Sequence, residues 1–151
     1  MHLSKKTYVK NWSFMTPSEL HEITVKKGGK KTHVKPERIS YVIEEVGYWR
    51  KANSIHGWFV RNVQDGVDDC HEYAVEKDKL KELLESVNAV LADPTRADEL
   101  LPPQSGFFFG STEVNEYYIQ DLKDTKKILE SLFSELKGVA DYPELFYRSS
   151  W

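Results

Sequence analysis

The chain has 151 residues, enough for one domain with a buried core, and its 40% hydrophobic and 30% charged residues are typical of a globular rather than a disordered protein. No apolar run approaches the roughly 20 residues that cross a bilayer, and the first residues lack an apolar signal core. We therefore expect a cytoplasmic protein without a membrane partner. The single cysteine, Cys70, excludes an internal disulfide framework and a multi-cysteine zinc site.

The charge is unevenly spread along the chain. Residues 1–38 contain nine Lys/Arg and three Asp/Glu, a formal charge of +6, whereas the whole chain carries −3 and the remainder therefore −9. A basic segment can bind a polyanion, but the acidic remainder would repel a phosphate backbone, so a nucleic-acid partner is disfavoured. We predict one domain over residues 1–151, made of a basic hairpin region at 1–35 and a helical, acidic body at 36–151.

The elements in chain order predict an α+β fold with three main helices packed on a small antiparallel sheet. Alternating residues on either side of Gly28 and Gly29 predict an N-terminal β-hairpin at 22–35. Apolar residues spaced by three and four predict helices over about 36–63, 76–92 and 113–136, the last of them capped by Ser111 or Thr112. We expect short strands at 73–75, 106–110 and 145–147, and one or two helical turns at 96–101.

The segment from Trp49 to His56 groups residue types that can hold a ligand. On the first predicted helix, Trp49, Asn53 and His56 share one apolar side. A buried amide or imidazole is destabilising unless it is partnered, either by a neighbouring protein group or by a ligand. In the second case Trp49 supplies a stacking face, Arg50 and Lys51 supply cations, and Asn53 and His56 supply hydrogen bonds.

An acidic run follows this segment. Asp65, Asp68 and Asp69 repel one another unless a base or a cation joins them. They either form salt bridges with nearby bases, or Asp68 or Asp69 orients His56. A metal is disfavoured because the run lacks the closing glutamate of a calcium loop.

A third segment, residues 106–112, joins an aromatic stretch to the start of the last predicted helix. Backbone amides that are free at a helix start can receive an anion, so Phe108, Ser111 and Thr112 are candidate ligand residues. The alternative is that this segment packs in the core.

Two stretches of the sequence resemble signatures of a family of small bacteriophage and prophage proteins. The first is YWRKAN at 48–53 with IH at 55–56, WFV at 58–60, QDG at 64–66 and DDC at 68–70; the second is GFFFGS at 106–111 with the later YY at 117–118 and DL at 121–122. The likeness covers roughly residues 41–136. The resemblance implies a phage genome as the context and implies no reaction mechanism.

These features lead to one main hypothesis and two alternatives. In the main hypothesis a small phage-type protein sequesters a nucleotide-like, phosphate-bearing host defence signal without turnover. It needs no cofactor or metal, leaves a homo-oligomer open, and uses as ligand residues Trp49, Arg50, Lys51, Asn53, His56, Phe108, Ser111 and Thr112. The first alternative is a hydrolase of a phosphoester or nucleotide in which His56 acts with Asp68 or Asp69. The second is a protein-interaction module that inhibits a host factor; overall, we expect binding rather than catalysis.

Overall fold

A computed structural model describes residues 1–105 and 111–150 of the chain. It has the predicted α+β architecture, with helices packed against an antiparallel sheet. The strands are β1 (His2–Tyr8), β2 (Lys26–Lys27), β3 (Lys30–Lys31), β4 (Tyr41–Tyr48), β5 (Glu72–Ala74) and β6 (Glu144–Arg148). The helices are α1 (Asn53–Asn62), α2 (Lys77–Ala92), α3 (Ala97–Leu100) and α4 (Glu116–Glu135), and short 3-10 turns occur at Pro17–Glu19, Pro36–Arg38 and Pro94–Arg96.

The main sheet has the strand order β4-β1-β6-β5, with every neighbouring pair antiparallel. Strand β1, at the start of the chain, is therefore an inner strand of the sheet. Its Leu3 is opposite Gly47 of β4 on one side and Tyr147 of β6 on the other. Leu3 and Tyr147 are both fully buried, so this face of the sheet forms one wall of the core. Strand β4 is an edge strand, and it leads directly to the candidate site.

Helices α2 and α4 pack against each other, and α4 contacts β4 on the face of the sheet that carries Leu3. Each is amphipathic, and their apolar residues recur at three- and four-residue spacings as expected for a helix with one buried side. The core residues they contribute are Leu80, Leu83, Val87, Val90, Tyr118, Leu122, Leu129 and Leu132. Helix α4 approaches the sheet closely at Gly47, where an added Cβ would lie 2.8 Å from Cγ2 of Ile128.

The helix predicted over residues 36–63 is wrong in its first half. The chain makes a 3-10 turn at Pro36–Arg38 and then the eight-residue strand β4, and the helix begins only at Asn53. The β4 sequence is rich in β-branched and aromatic residues, which favour a strand, and β1 pairs along its whole length. Strand β1 itself was not predicted; residues 2–8 belong to the main sheet and not to the hairpin.

The other predicted elements are found, with shifted boundaries. The hairpin turns at Gly28 and Gly29, which have φ of +57° and +76°, but its strands are two residues each. Helix α2, strands β5 and β6 and the turns near residue 96 match their predictions. The last helix starts later than expected because Asn115, and not Ser111 or Thr112, caps it. The strand predicted at 106–110 lies outside the described residues. None of the helices in the described parts of the chain is long and apolar enough to cross a membrane.

Candidate functional site

A cleft of about 300 Å³ lies between the loop that follows β4 and the first turns of α4. We call it the Arg50 cleft. It brings together four of the predicted ligand residues from two distant parts of the chain, Arg50, Lys51 and Asn53 from the first and Ser111 from the second. Among the described residues, its lining is Arg50, Lys51, Asn53, Ser111, Asn115, Tyr117, Tyr118, Gln120 and Asp121.

Two adjacent cations form one side of the Arg50 cleft. The side chains of Arg50 and Lys51 are exposed, and neither forms an ion pair within residues 1–105 and 111–150. Lys51 has a φ of +63°, in the left-handed region that residues other than glycine rarely adopt. Backbone strain of this kind costs on the order of 1 kcal/mol and is concentrated at functional sites.

The amide of Asn53 fixes the opposite wall. It is 6% exposed; its Nδ2 donates to the carbonyl of Ser111 at 3.1 Å, and its Oδ1 accepts from the backbone N–H of Gln104 at 3.3 Å. The helix α4 begins beside this wall, where Oδ1 of Asn115 accepts from the N–H groups of Tyr117 and Tyr118 at 3.1 Å. Asn53 therefore positions the site, and both functional groups of its amide are already used within the protein.

The remaining wall comes from the first turns of α4 and carries an aromatic ring and a carboxyl group. Tyr117 is 82% exposed, so its ring is available for stacking. Asp121 lies one turn further along the same helical face. Burial, together with the negative charge of Asp124, raises the pKa of the Asp121 carboxyl to about 6. The carboxyl therefore changes from a hydrogen-bond donor to an acceptor as the pH rises through about 6.

The hydroxyl of Tyr118 is bonded within the protein and does not face the cleft as a free group. It donates to the carbonyl of Leu101 at 2.8 Å, and burial raises its pKa to about 12. Tyr118 is therefore a neutral anchor that ties the start of α4 to the segment after α3.

Three of the predicted ligand residues do not line the Arg50 cleft. Trp49 is 3% exposed and belongs to the core, where its Nε1 donates to Oγ1 of Thr125 at 2.8 Å. It therefore offers no open stacking face, which corrects that expectation. Thr112 is exposed but does not line the cleft, and His56 lies in the interior. Phe108 lies outside the described residues.

His56 is hydrogen-bonded to two side chains, Tyr147 in the interior and Asp68 at the surface. It is 1% exposed; its Nδ1 lies 2.7 Å from the hydroxyl of Tyr147, and its Nε2 lies 3.0 Å from Oδ2 of Asp68. Burial and the charge of Asp68 raise the pKa of Tyr147, so the phenol is neutral. These two hydrogen bonds tie α1 to β6 and to the loop after α1, and they use both nitrogens of the imidazole.

The other candidate carboxylate, Asp69, belongs to a separate surface cluster. It accepts from the backbone N–H of His71 at 3.1 Å, contacts Nδ1 of His71 at 2.7 Å and accepts from the hydroxyl of Tyr73 at 3.0 Å. The hydrogen bond from the His71 backbone is the main reason that the pKa of Asp69 is lowered. Of the two carboxylates in the hydrolase alternative, Asp68 contacts His56, whereas Asp69 contacts His71 and Tyr73. In the described part of the chain, no group of three or more His, Cys, Asp and Glu side chains is arranged to hold a metal ion.

Sequence reasoning did not select Tyr117 or Asp121 as ligand residues, although both belong to the second stretch that resembles phage proteins. Both lie in the part of α4 that follows its capping residue, and their four-residue spacing puts them on one helical face. This spacing, next to a helix start that was predicted to bind an anion, was the sequence signal that could have identified the two residues. What the sequence could not supply was the pairing of this face with Arg50 and Lys51, which are more than sixty residues earlier in the chain.

No protein-family model, curated protein or solved structure matches the chain. The resemblance to phage proteins therefore stays a prediction.

Proposed function

We propose that the Arg50 cleft binds a small nucleotide-like ligand and that the protein sequesters this ligand without turning it over. The observation that carries the proposal is the pair Arg50 and Lys51, two adjacent cations without an ion-pair partner among the described residues, beside a strained backbone and an exposed ring. Phosphate is recognised by such cations, and most strongly by the planar guanidinium of arginine.

The other walls supply the groups that the rest of a nucleotide needs. The ring of Tyr117 can stack on a base, and the side chains of Ser111, Asn115 and Gln120 offer hydrogen bonds to a sugar or a base edge. A cleft of about 300 Å³ is at the lower end of the range for small-molecule sites. This size fits a mononucleotide or one half of a larger dinucleotide.

Sequestration is favoured over hydrolysis by the groups that the described residues bring to the cleft. Those residues include no histidine or cysteine, and the hydroxyl of Ser111 accepts a hydrogen bond from the backbone of Glu113. His56, the base in the hydrolase alternative, is buried and bonded at both nitrogens. The resemblance to phage proteins leads us to propose a nucleotide signal of host defence as the ligand and the host cytoplasm as the place of action.

Calorimetric titration with inorganic phosphate, a mononucleotide, a cyclic mononucleotide and a cyclic dinucleotide tests the proposal. We expect Arg50→Ala to weaken nucleotide binding about 10-fold or more, because it removes charge-assisted hydrogen bonds, and we expect Arg50→Lys to weaken it as well. Lys51→Asn removes the second cation with a residue that tolerates the left-handed conformation. The matched control is Lys137→Ala, which removes a lysine beyond the far end of α4, roughly 30 Å away.

Three results would count against the proposal. The wild-type protein could bind none of these compounds, the Arg50 and Lys51 variants could bind as tightly as wild type, or Lys137→Ala could weaken binding equally. The bound ligand is then released by heat and weighed by mass spectrometry. An unchanged mass supports sequestration, whereas a cleaved product that disappears in His56→Ala would support the hydrolase alternative.

A further inference from the structure

A second cleft, of about 720 Å³, lies at the end of the main sheet remote from the Arg50 cleft. We call it the tyrosine cleft, after Tyr8, Tyr41 and Tyr142, which line it together with Met15. The ends of β1 and β4, the segment around the Pro17–Glu19 turn and the segment before β6 form its walls. The eight residues of β4 separate the two clefts by roughly 25 Å.

The ionisable groups of the tyrosine cleft make it negatively charged. Three carboxylates, Glu19, Asp141 and Glu144, line it against one lysine, Lys6, and one histidine, His21. Nζ of Lys6 lies 3.7 Å from Oε2 of Glu144, so the positive charge of Lys6 is already paired with a carboxylate. With His21 neutral, the lining carries a formal charge of −2. An anionic ligand is therefore disfavoured in this cleft, in contrast to the Arg50 cleft.

The two remaining carboxylates differ in how they are used. Glu19 accepts hydrogen bonds from the backbone N–H and the hydroxyl of Thr16, both at 2.7 Å, which lower its pKa and keep it ionised. Asp141 is exposed and has neither an ion-pair partner nor a hydrogen-bond partner in the parts of the chain that the structure describes. Asp141 is therefore a carboxylate free to meet a cationic ligand.

The aromatic rings of this region already attract ammonium groups from the protein itself. Nζ of Lys6 lies 4.3 Å from the ring centroid of Tyr41, and Nζ of Lys77 lies 4.5 Å from that of Tyr142. Tyr8 packs edge-on against Tyr41, with ring centroids 5.1 Å apart, and both tyrosines are more than 40% exposed. Electron-rich ring faces beside carboxylates form the environment that recognises alkylammonium and guanidinium groups.

We propose that the tyrosine cleft binds an organic cation, with Asp141 and Glu19 matching its charge and the tyrosine rings contacting its alkylammonium or guanidinium group. The same chemistry is carried by a free polyamine and by a lysine or arginine side chain of a basic peptide. Both sources fit a cleft of this volume, which lies within the range of small-molecule sites. The proposal does not depend on the function assigned to the Arg50 cleft.

Calorimetric titration of the full chain with spermidine and with a short oligolysine peptide tests the inference, and Mg²⁺ at matched ionic strength serves as the control ligand. We expect saturable binding of spermidine, weakened about 2- to 5-fold by Asp141→Asn and by a similar factor by Tyr41→Leu. Asp141 is on the surface, so its variant keeps the fold even if Tyr41→Leu does not. The matched control is Glu116→Gln, an exposed acid near the other cleft.

The pattern of results separates the two sources and decides the inference. Tighter binding of spermidine than of the peptide identifies a polyamine-like ligand, and the reverse identifies a basic peptide. Equal binding of Mg²⁺ and spermidine, or equal spermidine affinity in wild type and Asp141→Asn, would overturn the proposal, since either would reduce the effect to general attraction of counterions. A loss of binding in Glu116→Gln as large as in Asp141→Asn would overturn it too.

Discussion

Replacing Asp121 by asparagine is expected to stabilise the folded protein at neutral pH and to flatten the dependence of its stability on pH. The pKa of the carboxyl is about 6 in the folded chain, against an ordinary value of 3.8. The folded state therefore holds the proton more tightly than the unfolded state, and stability falls as the pH rises from about 4 to about 6. Above that range the full penalty of the buried charge is present.

The size of the effect follows from the rise in pKa. A shift from 3.8 to about 6 corresponds to about 3 kcal/mol for a fully buried group. The Asp121 side chain is only partly buried, and solvent screening reduces this to about 1–2 kcal/mol. The expected gain for Asp121→Asn is therefore about 1–2 kcal/mol at pH 7.5 and close to zero at pH 3.5, where the wild-type carboxyl is protonated.

Urea denaturation of the wild type and the variant at pH 3.5, 5 and 7.5 measures this difference. Asp141→Asn, which changes an exposed carboxyl at the other end of the sheet, is the control and should show no such trend. A stabilisation by Asp121→Asn that is equal at all three pH values would refute the reasoning, as would a loss of stability at pH 7.5. If the Arg50 cleft binds an anion, the same variant should also bind it more tightly above pH 6.

Two further changes test the packing that holds the sites in place. Tyr147→Phe removes the hydroxyl that contacts Nδ1 of His56, so we expect a loss of about 1–3 kcal/mol in the free energy of unfolding and a lower Tm by thermal denaturation; unchanged stability would show that this contact contributes nothing. Gly47→Ala places a methyl group 2.8 Å from Cγ2 of Ile128 and should cost about 1–3 kcal/mol, less when combined with Ile128→Ala in a double-mutant cycle. The reasoning fails if Gly47→Ala instead stabilises the protein, which is the result expected when alanine replaces a strand glycine that has free space around it.

The parts of the fold that the sequence predicts well are those whose period is unambiguous. Helix α2 carries a stripe of leucine and valine at helical spacing and helix α4 one of leucine and isoleucine, and the positions of both helices could be read within a few residues. The stretch around β4 fits a helical spacing as well as a strand. Its conformation is decided by pairing with β1, some forty residues earlier in the chain, and local periodicity contains no information about that partner.

The candidate site shows the same division. Arg50, Lys51, Asn53 and Ser111 could be selected because their residue types suit a ligand, and the structure brings them together in one cleft. His56 looked equivalent by type, but it is buried in contact with Asp68 and Tyr147. Whether a polar side chain on an apolar stripe meets a ligand or another side chain depends on the opposing element, which the spacing of residues along one helix does not reveal.

The position of β1 between β4 and β6 has a consequence for the order in which the protein folds. Leu3 is opposite Tyr147, so one flank of the sheet joins residues from nearly opposite ends of the sequence, and such distant pairings close slowly. On the ribosome, β1 can pair with β4 long before residues 144–148 have been synthesised. Until then its other flank presents unpaired backbone groups, and an unpaired strand edge is a template on which another chain can pair.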